Sequence, residues 1–381
     1  MRCLGLMSGT SADGVDAVLA DFQGRPAQPR WRIIRHHHCP YPDALRRKVV
    51  SAGQGEPLSA EAWLNLAEAI TETQAKAVLS CDPNGESQLI GCHGQTLWHR
   101  PPQADQRGAS WQALQAPLLS QLTGRPVIHD FRAADLALGG QGAPLVPRAD
   151  AALFGGTEGW RALLNLGGIA NLTLIPPCCG PERQADVLGW DCGPANSLID
   201  LAVSHFTDGK QTFDRDGAMA AAGSISEEWI THWLKEPYFQ RDPPKSTGRE
   251  LFGLEDLQRR LQELNRGQSN AEDVLATLTG FSAEVVGNEL NRLMLRSGIR
   301  PLELIVAGGG RHNPTLMREL RKRCRGVRLL TSDTMDVPAE TREALVFALL
   351  AWWHVRRHPA NSPQITGAER ETVLGVMVNP A

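Results

Sequence analysis

Two distant stretches of this 381-residue chain read as the same run of elements. In the first, Cys3 to Met7 is a short apolar strand, Ser8 to Gly14 a turn rich in Gly, Ser and Thr, Ala17 to Phe22 a second strand with alternating apolar positions, and Trp31 to His38 a third. In the second, Arg161 to Leu166 is a strand, Gly167-Gly168 a turn, Ile169 to Ile175 a second strand, and Ala185 to Trp190 a third. A repeat at the level of elements predicts two lobes built on one plan, with a ligand between them.

The remaining pattern fits that plan. Lobe one continues with a helix over Leu58 to Cys81, a strand over Gln88 to Cys92, a helix over Ser110 to Leu122 and a strand over Pro126 to Asp130. After its third strand, lobe two inserts helices at Asn196 to His205, Glu227 to Leu234, Leu254 to Leu264 and Glu272 to Leu295. It then resumes with a strand at Leu302 to Ala307, a helix at Pro314 to Lys322 and a strand at Val327 to Leu330. The last helix, Pro338 to Arg357, is apolar on more than one face and is expected to be buried, crossing back to lobe one; a strand-like Thr372 to Val376 follows. The expected division is 1–131, 132–337 and 338–381.

Composition narrows the function classes. A length of 381 residues suits two domains, and a net charge of −3 gives no electrostatic case for nucleic acid or an anionic membrane as partner. The start of the chain carries no signal-peptide core, and the longest apolar run, Ala344 to Trp353, is about half a membrane span, so a cytoplasmic location is expected. Eight cysteines without a Cys-x-x-Cys pair read as reduced thiols. His36-His37-His38 reads as an exposed strand end rather than a metal site, because alternate residues of a strand face opposite sides. No Walker lysine motif, dinucleotide fingerprint, zinc-protease His-Glu-x-x-His or nucleophile elbow occurs.

What remains is turn chemistry. At Gly9 to Asp16 the glycines let backbone approach a ligand, Ser8, Thr10 and Ser11 offer donors, and Asp13 and Asp16 could hold a magnesium ion directly or through water. A plain hairpin turn selects the same residues. Gly167-Gly168 and Gly308-Gly309-Gly310 are further glycine turns, and with the duplicated strand order they favour nucleotide binding in the manner of a two-lobe kinase.

The chain resembles the anhydro-N-acetylmuramic acid kinase family within the actin, Hsp70 and hexokinase fold superfamily. The resemblance is carried by Gly5 to Asp16, Cys92 to Pro101, Asp130-Phe131-Arg132, Gly139 to Pro147, Asn165 to Asn171, Asp191 to Asn196, Ala307 to Asn313 and Glu343-Ala344, nearly the whole chain. It departs mildly at Cys92 and Cys192, where the family usually has a small hydroxyl residue. The implied fold is α/β, two duplicated ribonuclease H-like lobes of mixed sheet with flanking helices and an active site in the interlobe cleft.

The implied reaction is ATP-dependent opening of the 1,6-anhydro ring of anhydro-N-acetylmuramic acid by water, with the γ-phosphoryl group passed to O6, in peptidoglycan recycling. By the same resemblance Gly9, Thr10, Ser11, Ala12, Asp13, Gly14, Val15, Asp16, Asn165, Gly167, Gly168, Gly308, Gly309, Gly310 and Asn313 bind Mg-ATP. Asp191 is the base, with a helix cap as its alternative role. Glu343, on a buried helix where an unpaired carboxylate is costly, assists catalysis or pairs with an arginine. Arg132 suits the lactyl carboxylate or an interlobe ion pair. Asp130, His93, Gln95, Thr96 and Asn196 are further sugar contacts, with His93 the weakest. A homodimer is implied only by the resemblance. The competing readings are a same-fold kinase with a plain hydroxyl acceptor, which would put no solvent oxygen on the sugar, and a chaperone-like ATPase, which would release ADP without sugar.

Overall fold

A computed structural model of the chain describes all residues except 10–11, 104, 157, 244, 249–250, 266–269, 336 and 339–340. It divides into two compact units, 1–154 with 336–381, and 155–335.

The first unit is built on a seven-stranded sheet. Strands β1 (Arg2–Ser8), β2 (Gly14–Arg25) and β3 (Gln28–Pro40) form an antiparallel meander; β4 (Leu89–Arg100) and β6 (Val127–His129) continue it in parallel on the other side of β1. The five strands therefore run β3-β2-β1-β4-β6, with β12 (Val376–Val378) added beyond β6 and β5 (Ala109–Ala113) paired to β4. The second unit repeats the five-strand order. β7 (Arg161–Leu166), β8 (Ile169–Ile175) and β9 (Leu188–Pro194) are antiparallel, and β10 (Glu303–Ala307) and β11 (Arg328–Thr331) extend the sheet in parallel beyond β7. The duplicated plan read from the turns and strand alternation is thus present in both sheets.

Each central strand is apolar on both sides because both faces of its sheet are covered. In the first unit, helices Ala60–Cys81 and Arg342–Val355 pack on the β1–β2 region of the sheet. Helix Arg342–Val355 is buried from Ala344 to Trp353. It lies against β1 and β4 backbone to backbone: a Cβ on Gly5 would fall 1.8 Å from the Ala344 carbonyl oxygen, and one on Gly91 2.1 Å from that of Phe347. Only glycine permits that approach. The helix is further fixed by a buried Arg342–Asp150 ion pair, by Trp352 stacked on Phe22 at 5.7 Å, and by Trp353 Nε1 donating to the Pro26 carbonyl at 2.9 Å. In the second unit the corresponding mass is helix Ala271–Ser297, capped by Asn270 and buried over most of Val274 to Leu290.

Four expectations differ. Residues 132–154 fall in the first unit, where helix Val146–Phe154 packs on β3 and on Arg342–Val355. The helix expected over Ser110 to Leu122 begins only at Ala116, with Pro117 in its first turn; Ala109–Ala113 is instead a strand whose Trp111 faces Trp98 on β4. The tail strand expected over Thr372 to Val376 is instead Val376–Val378, antiparallel to β6, and a helix over Asp43–Gly53 joins those expected. The third strand of the second unit is shifted to Leu188–Pro194, so Asp191 lies within it and does not end it. No described helix is long and apolar enough to cross a membrane.

Gly5→Ala places a methyl group inside the Ala344 carbonyl contact, so the helix must lift from β1. The expected result is a loss of about 3 kcal/mol in urea unfolding; a midpoint equal to wild type would show that the contact does not constrain the fold.

Candidate active site

In the first unit the candidate residues lie at the hairpin tip, in the middle of β4 and just beyond β6. Ala12 N donates to Gly9 O at 3.1 Å, and Ala12 takes a left-handed φ of 52°. Below the tip, Ser8 Oγ donates to Gly14 O at 2.7 Å and shares a hydrogen bond with the Tyr41 hydroxyl, closing the hairpin. Ala12 and Val15 are fully buried, so their side chains belong to the core. Gly14 is required sterically, since a Cβ there would lie 2.4 Å from Cys39 O on β3. Asp13 pairs with Arg46 and Asp16 with His38, both at 2.7 Å and both exposed. His36 and His37 are exposed beside His38. Thr10 and Ser11 lie outside the described residues.

Midway along β4 the pairing with β1 slips between Leu6 and Ser8, opposite a left-handed Gly94 (φ 77°). This bulge separates His93 from Gln95. Gln95 Nε2 donates to Gly9 O at 3.1 Å and so ties β4 to the tip; Thr96 Oγ1 accepts from Gln112. Arg132, just after β6, donates through Nη1 to Gly142 O at 2.7 Å and through Nη2 to His93 Nε2 at 2.9 Å. A guanidinium only donates, so His93 carries its proton on Nδ1. Burial, reinforced by Arg132, pushes the His93 pKa down to about 3, and the ring lies 4.7 Å from that of Phe347. His93 Nδ1, Gln95 Oε1 and Arg132 Nε are buried with no hydrogen-bond partner among the described residues.

Asp130, with a φ of 54°, lines a separate open cavity of about 840 Å³ with Arg107 and Leu136. Glu343 is exposed at the first turn of its helix, not buried as expected; the arginine ion pair there belongs to Arg342. Glu343 still reaches Arg132 electrostatically, where its charge opposes the downward pull of burial on the guanidinium.

In the second unit, two glycine turns meet. Gly308 (φ 82°) follows β10 beside Asn165, close enough that a Cβ would clash with Leu166 O, and Gly310 packs on Leu166 and Asn196. The Asn196 amide donates to Leu166 O and Gly167 O at 3.1 and 2.8 Å. Backbone amides of Ala195, Asn196 and Ser197 bond the carbonyls of Gly168, Gly167 and Gly168. Asn196 is therefore a brace of the Gly167-Gly168 turn. Asn313 caps helix Pro314–Arg323 through Leu316 N at 3.0 Å. A Cβ on Gly309 would meet no heavy atom within 4 Å, and this glycine lines a cavity of about 450 Å³ with Asn196, Gly310 and Asn313. The opposite wall, Phe213 to Asp216, is not among the residues expected from sequence; its signal is the Asp-Arg-Asp-Gly turn, in which Asp216 and Gly217 are both left-handed.

Asp191 stands at a second bulge. Ala170 faces Gly193 and Asn171 faces Asp191, which leaves Cys192 as the extra residue and turns the Asp191 side chain relative to its neighbours. Asn171 Nδ2 donates to Oδ1 at 2.8 Å, and Ser246 Oγ and Thr247 N donate to Oδ2 at 2.8 and 3.0 Å. The carboxylate caps no helix; Ser197–Phe206 starts six residues later. Cys92 and Cys192 are fully buried and their thiols are driven up by burial, Cys92 to about 12, so both act as packing groups.

A five-strand order 3-2-1-4-5 repeated in both units, with glycine turns at the strand ends, defines a two-unit mixed α/β protein built on one duplicated plan. The family model of anhydro-N-acetylmuramic acid kinase matches residues 1–380. Proteins of that name from Synechococcus sp. (strain CC9902) and Synechococcus sp. (strain CC9605) are 72% and 67% identical over 100% of both chains. The chain belongs to the anhydro-N-acetylmuramic acid kinase family. Among solved structures, a ROK family glucokinase from Streptomyces griseus in complex with glucose and AMPPNP aligns over 92% of this chain and 99% of its own, with a TM-score of 0.40 and 15% identity.

His93 gives a pH signature. Its pKa is lower folded than unfolded, so the unfolded chain binds the extra proton first and stability falls as pH drops below about 6.5. Between pH 7.5 and 5 the contribution is about 2 kcal/mol. Urea unfolding of His93→Gln is expected to show a correspondingly smaller acid loss than wild type; equal losses would place the titrating group elsewhere.

Proposed function

We propose that this protein is an ATP-dependent kinase that opens the 1,6-anhydro ring of anhydro-N-acetylmuramic acid with water and phosphorylates O6, giving N-acetylmuramic acid 6-phosphate and ADP in cytoplasmic peptidoglycan recycling. The observation that carries the mechanism is the fixed Asp191 carboxylate, with three donors on its two oxygens in a bulged strand. Such a carboxylate orients a water and takes its proton as the water oxygen bonds the anomeric carbon. The C1–O6 bond breaks, and O6 attacks the γ-phosphorus as ADP leaves. The sugar carboxylate is assigned to Arg132, whose Nε is buried without a partner among the described residues and whose other nitrogens are held by Gly142 and His93.

The residues of the second unit suit ATP. Gly167 and Gly168 would meet nothing closer than 3.8 Å on gaining a Cβ, and Gly309 nothing within 4 Å, so polyphosphate and nucleoside can lie directly on backbone. The adjoining cavity of about 450 Å³ is of small-ligand size. Magnesium bound with the nucleotide uses few protein carboxylates and would neutralise charge on the transferred phosphoryl group. Asp13 and Asp16 are the carboxylates assigned to it; each would exchange its basic partner, Arg46 or His38, for the ion or its waters.

Coupled ADP release with purified protein is expected to require the anhydro sugar, and the product formed in heavy-oxygen water to carry one label at the anomeric carbon. Asp191→Asn is expected to lower kcat by about 10²- to 10⁴-fold. Sugar-independent ADP release, or an unlabelled product, would overturn the reaction; normal turnover by Asp191→Asn would overturn the base.

A further inference from the structure

Two of the three donors on the Asp191 carboxylate come from a segment that is neither helix nor strand. Residues 245–247 lie along β9, where Asp191 N donates to Lys245 O at 3.0 Å, and Ser246 Oγ and Thr247 N both reach Oδ2. The segment is pinned by a side chain that points the other way. Lys245 Nζ donates to Glu289 Oε1 at 2.8 Å, and both side chains are 3% exposed. The second oxygen of Glu289 accepts from Trp190 Nε1 at 2.9 Å, so one carboxylate on the core helix Ala271–Ser297 holds both this segment and the residue preceding Asp191. The Lys245 ammonium also lies 4.9 Å over the Tyr238 ring, whose hydroxyl donates to Asp191 O at 2.8 Å.

A buried ion pair is a poor device for raising stability, because desolvation offsets much of its attraction. It is a good device for fixing one geometry, since any displacement leaves a bare charge in the core. Ser246 completes the contrast: it is exposed, so its hydroxyl fills no core space, yet it is directed at the carboxylate.

We propose that Lys245-Ser246-Thr247 is a positioning strap for Asp191, anchored in the core by the Lys245–Glu289 pair and setting the carboxylate through the Ser246 hydroxyl and the Thr247 amide. The proposal rests on the reading of Asp191 as the base. Lys245 and Ser246 are positioning residues, since they act through Asp191 and not on the substrate.

Ser246→Ala is expected to lower kcat about tenfold, the order expected for one hydrogen bond to a charged group, with the KM for ATP and the melting temperature unchanged. Ser246→Thr, which keeps the hydroxyl, is expected to recover kcat to within about threefold of wild type. In an Asp191→Asn background Ser246→Ala is expected to have no further effect, because its action passes through the carboxylate. Wild-type kcat in Ser246→Ala, or an equal loss in the Asp191→Asn background, would overturn the strap. Normal turnover by Asp191→Asn alone would instead overturn the base reading on which it rests. The anchor is tested by Lys245→Met with Glu289→Gln, which keeps an acceptor for Trp190 and leaves no bare charge. A folded double variant with lowered kcat supports the anchor, one with wild-type kcat overturns it, and if the pair does not fold the Ser246 variants decide.

Discussion

The approach of helix Arg342–Val355 to bare backbone on β1 and β4 is the contact on which the first unit depends. Gly5 and Gly91 are register partners on adjacent parallel strands, so together they form a flat patch that accepts the helix without intervening side chains. That closeness sets where the ends of both strands lie, and the hairpin tip, His93 and Gln95 all sit within a few residues of it along β1 and β4. It also presses Phe347 onto the His93 ring and onto Phe131, next to Arg132. The packing of a helix from the far end of the chain is thereby built into the surroundings of three buried polar groups that have no hydrogen-bond partner among the described residues.

The second unit reaches similar rigidity by polar means. Its Gly167-Gly168 turn is held by the Asn196 amide and the Asp191 carboxylate by a hydrogen-bonded segment, while the core helix supplies the buried acid, Glu289, that ties segment and strand together. Each unit also carries a one-residue bulge beside its candidate site residues, at His93-Gly94 and at Cys192. A bulge breaks the two-residue alternation of a strand, so a polar side chain can leave the sheet face that its neighbours bury.

The duplicated strand order was legible because it rests on local signals, alternation within strands and glycine at the turns between them. The strand at Ala109–Ala113 was not, since it is set by pairing with β4 and by Trp111 packing on Trp63, both distant in sequence, and nothing local opposes a helix there before Pro117. The motif around Asp191 points to that residue alone; Ser246 and Thr247 lie 55 and 56 residues further on in an aperiodic loop, and only tertiary structure brings them to its carboxylate. Helical periodicity correctly marked Arg342–Val355 as buried and misplaced Glu343, because a helix buried along its length still has an open first turn. Gly14 shows the reverse ambiguity: a glycine in a phosphate-like turn is demanded by the neighbouring strand.

The brace on the Gly167-Gly168 turn has an electrostatic consequence. Carbonyl oxygens in a tight turn ordinarily repel an approaching anion and offset what the amides donate. Here the oxygens of Leu166, Gly167 and Gly168 are all occupied by hydrogen atoms from Ala195, Asn196 and Ser197, at the start of helix Ser197–Phe206. The positive end of that helix is spent inside the protein on the turn, and the turn in effect becomes its extension. An incoming phosphate would meet a dipole relayed through two glycines, from a helix it never touches.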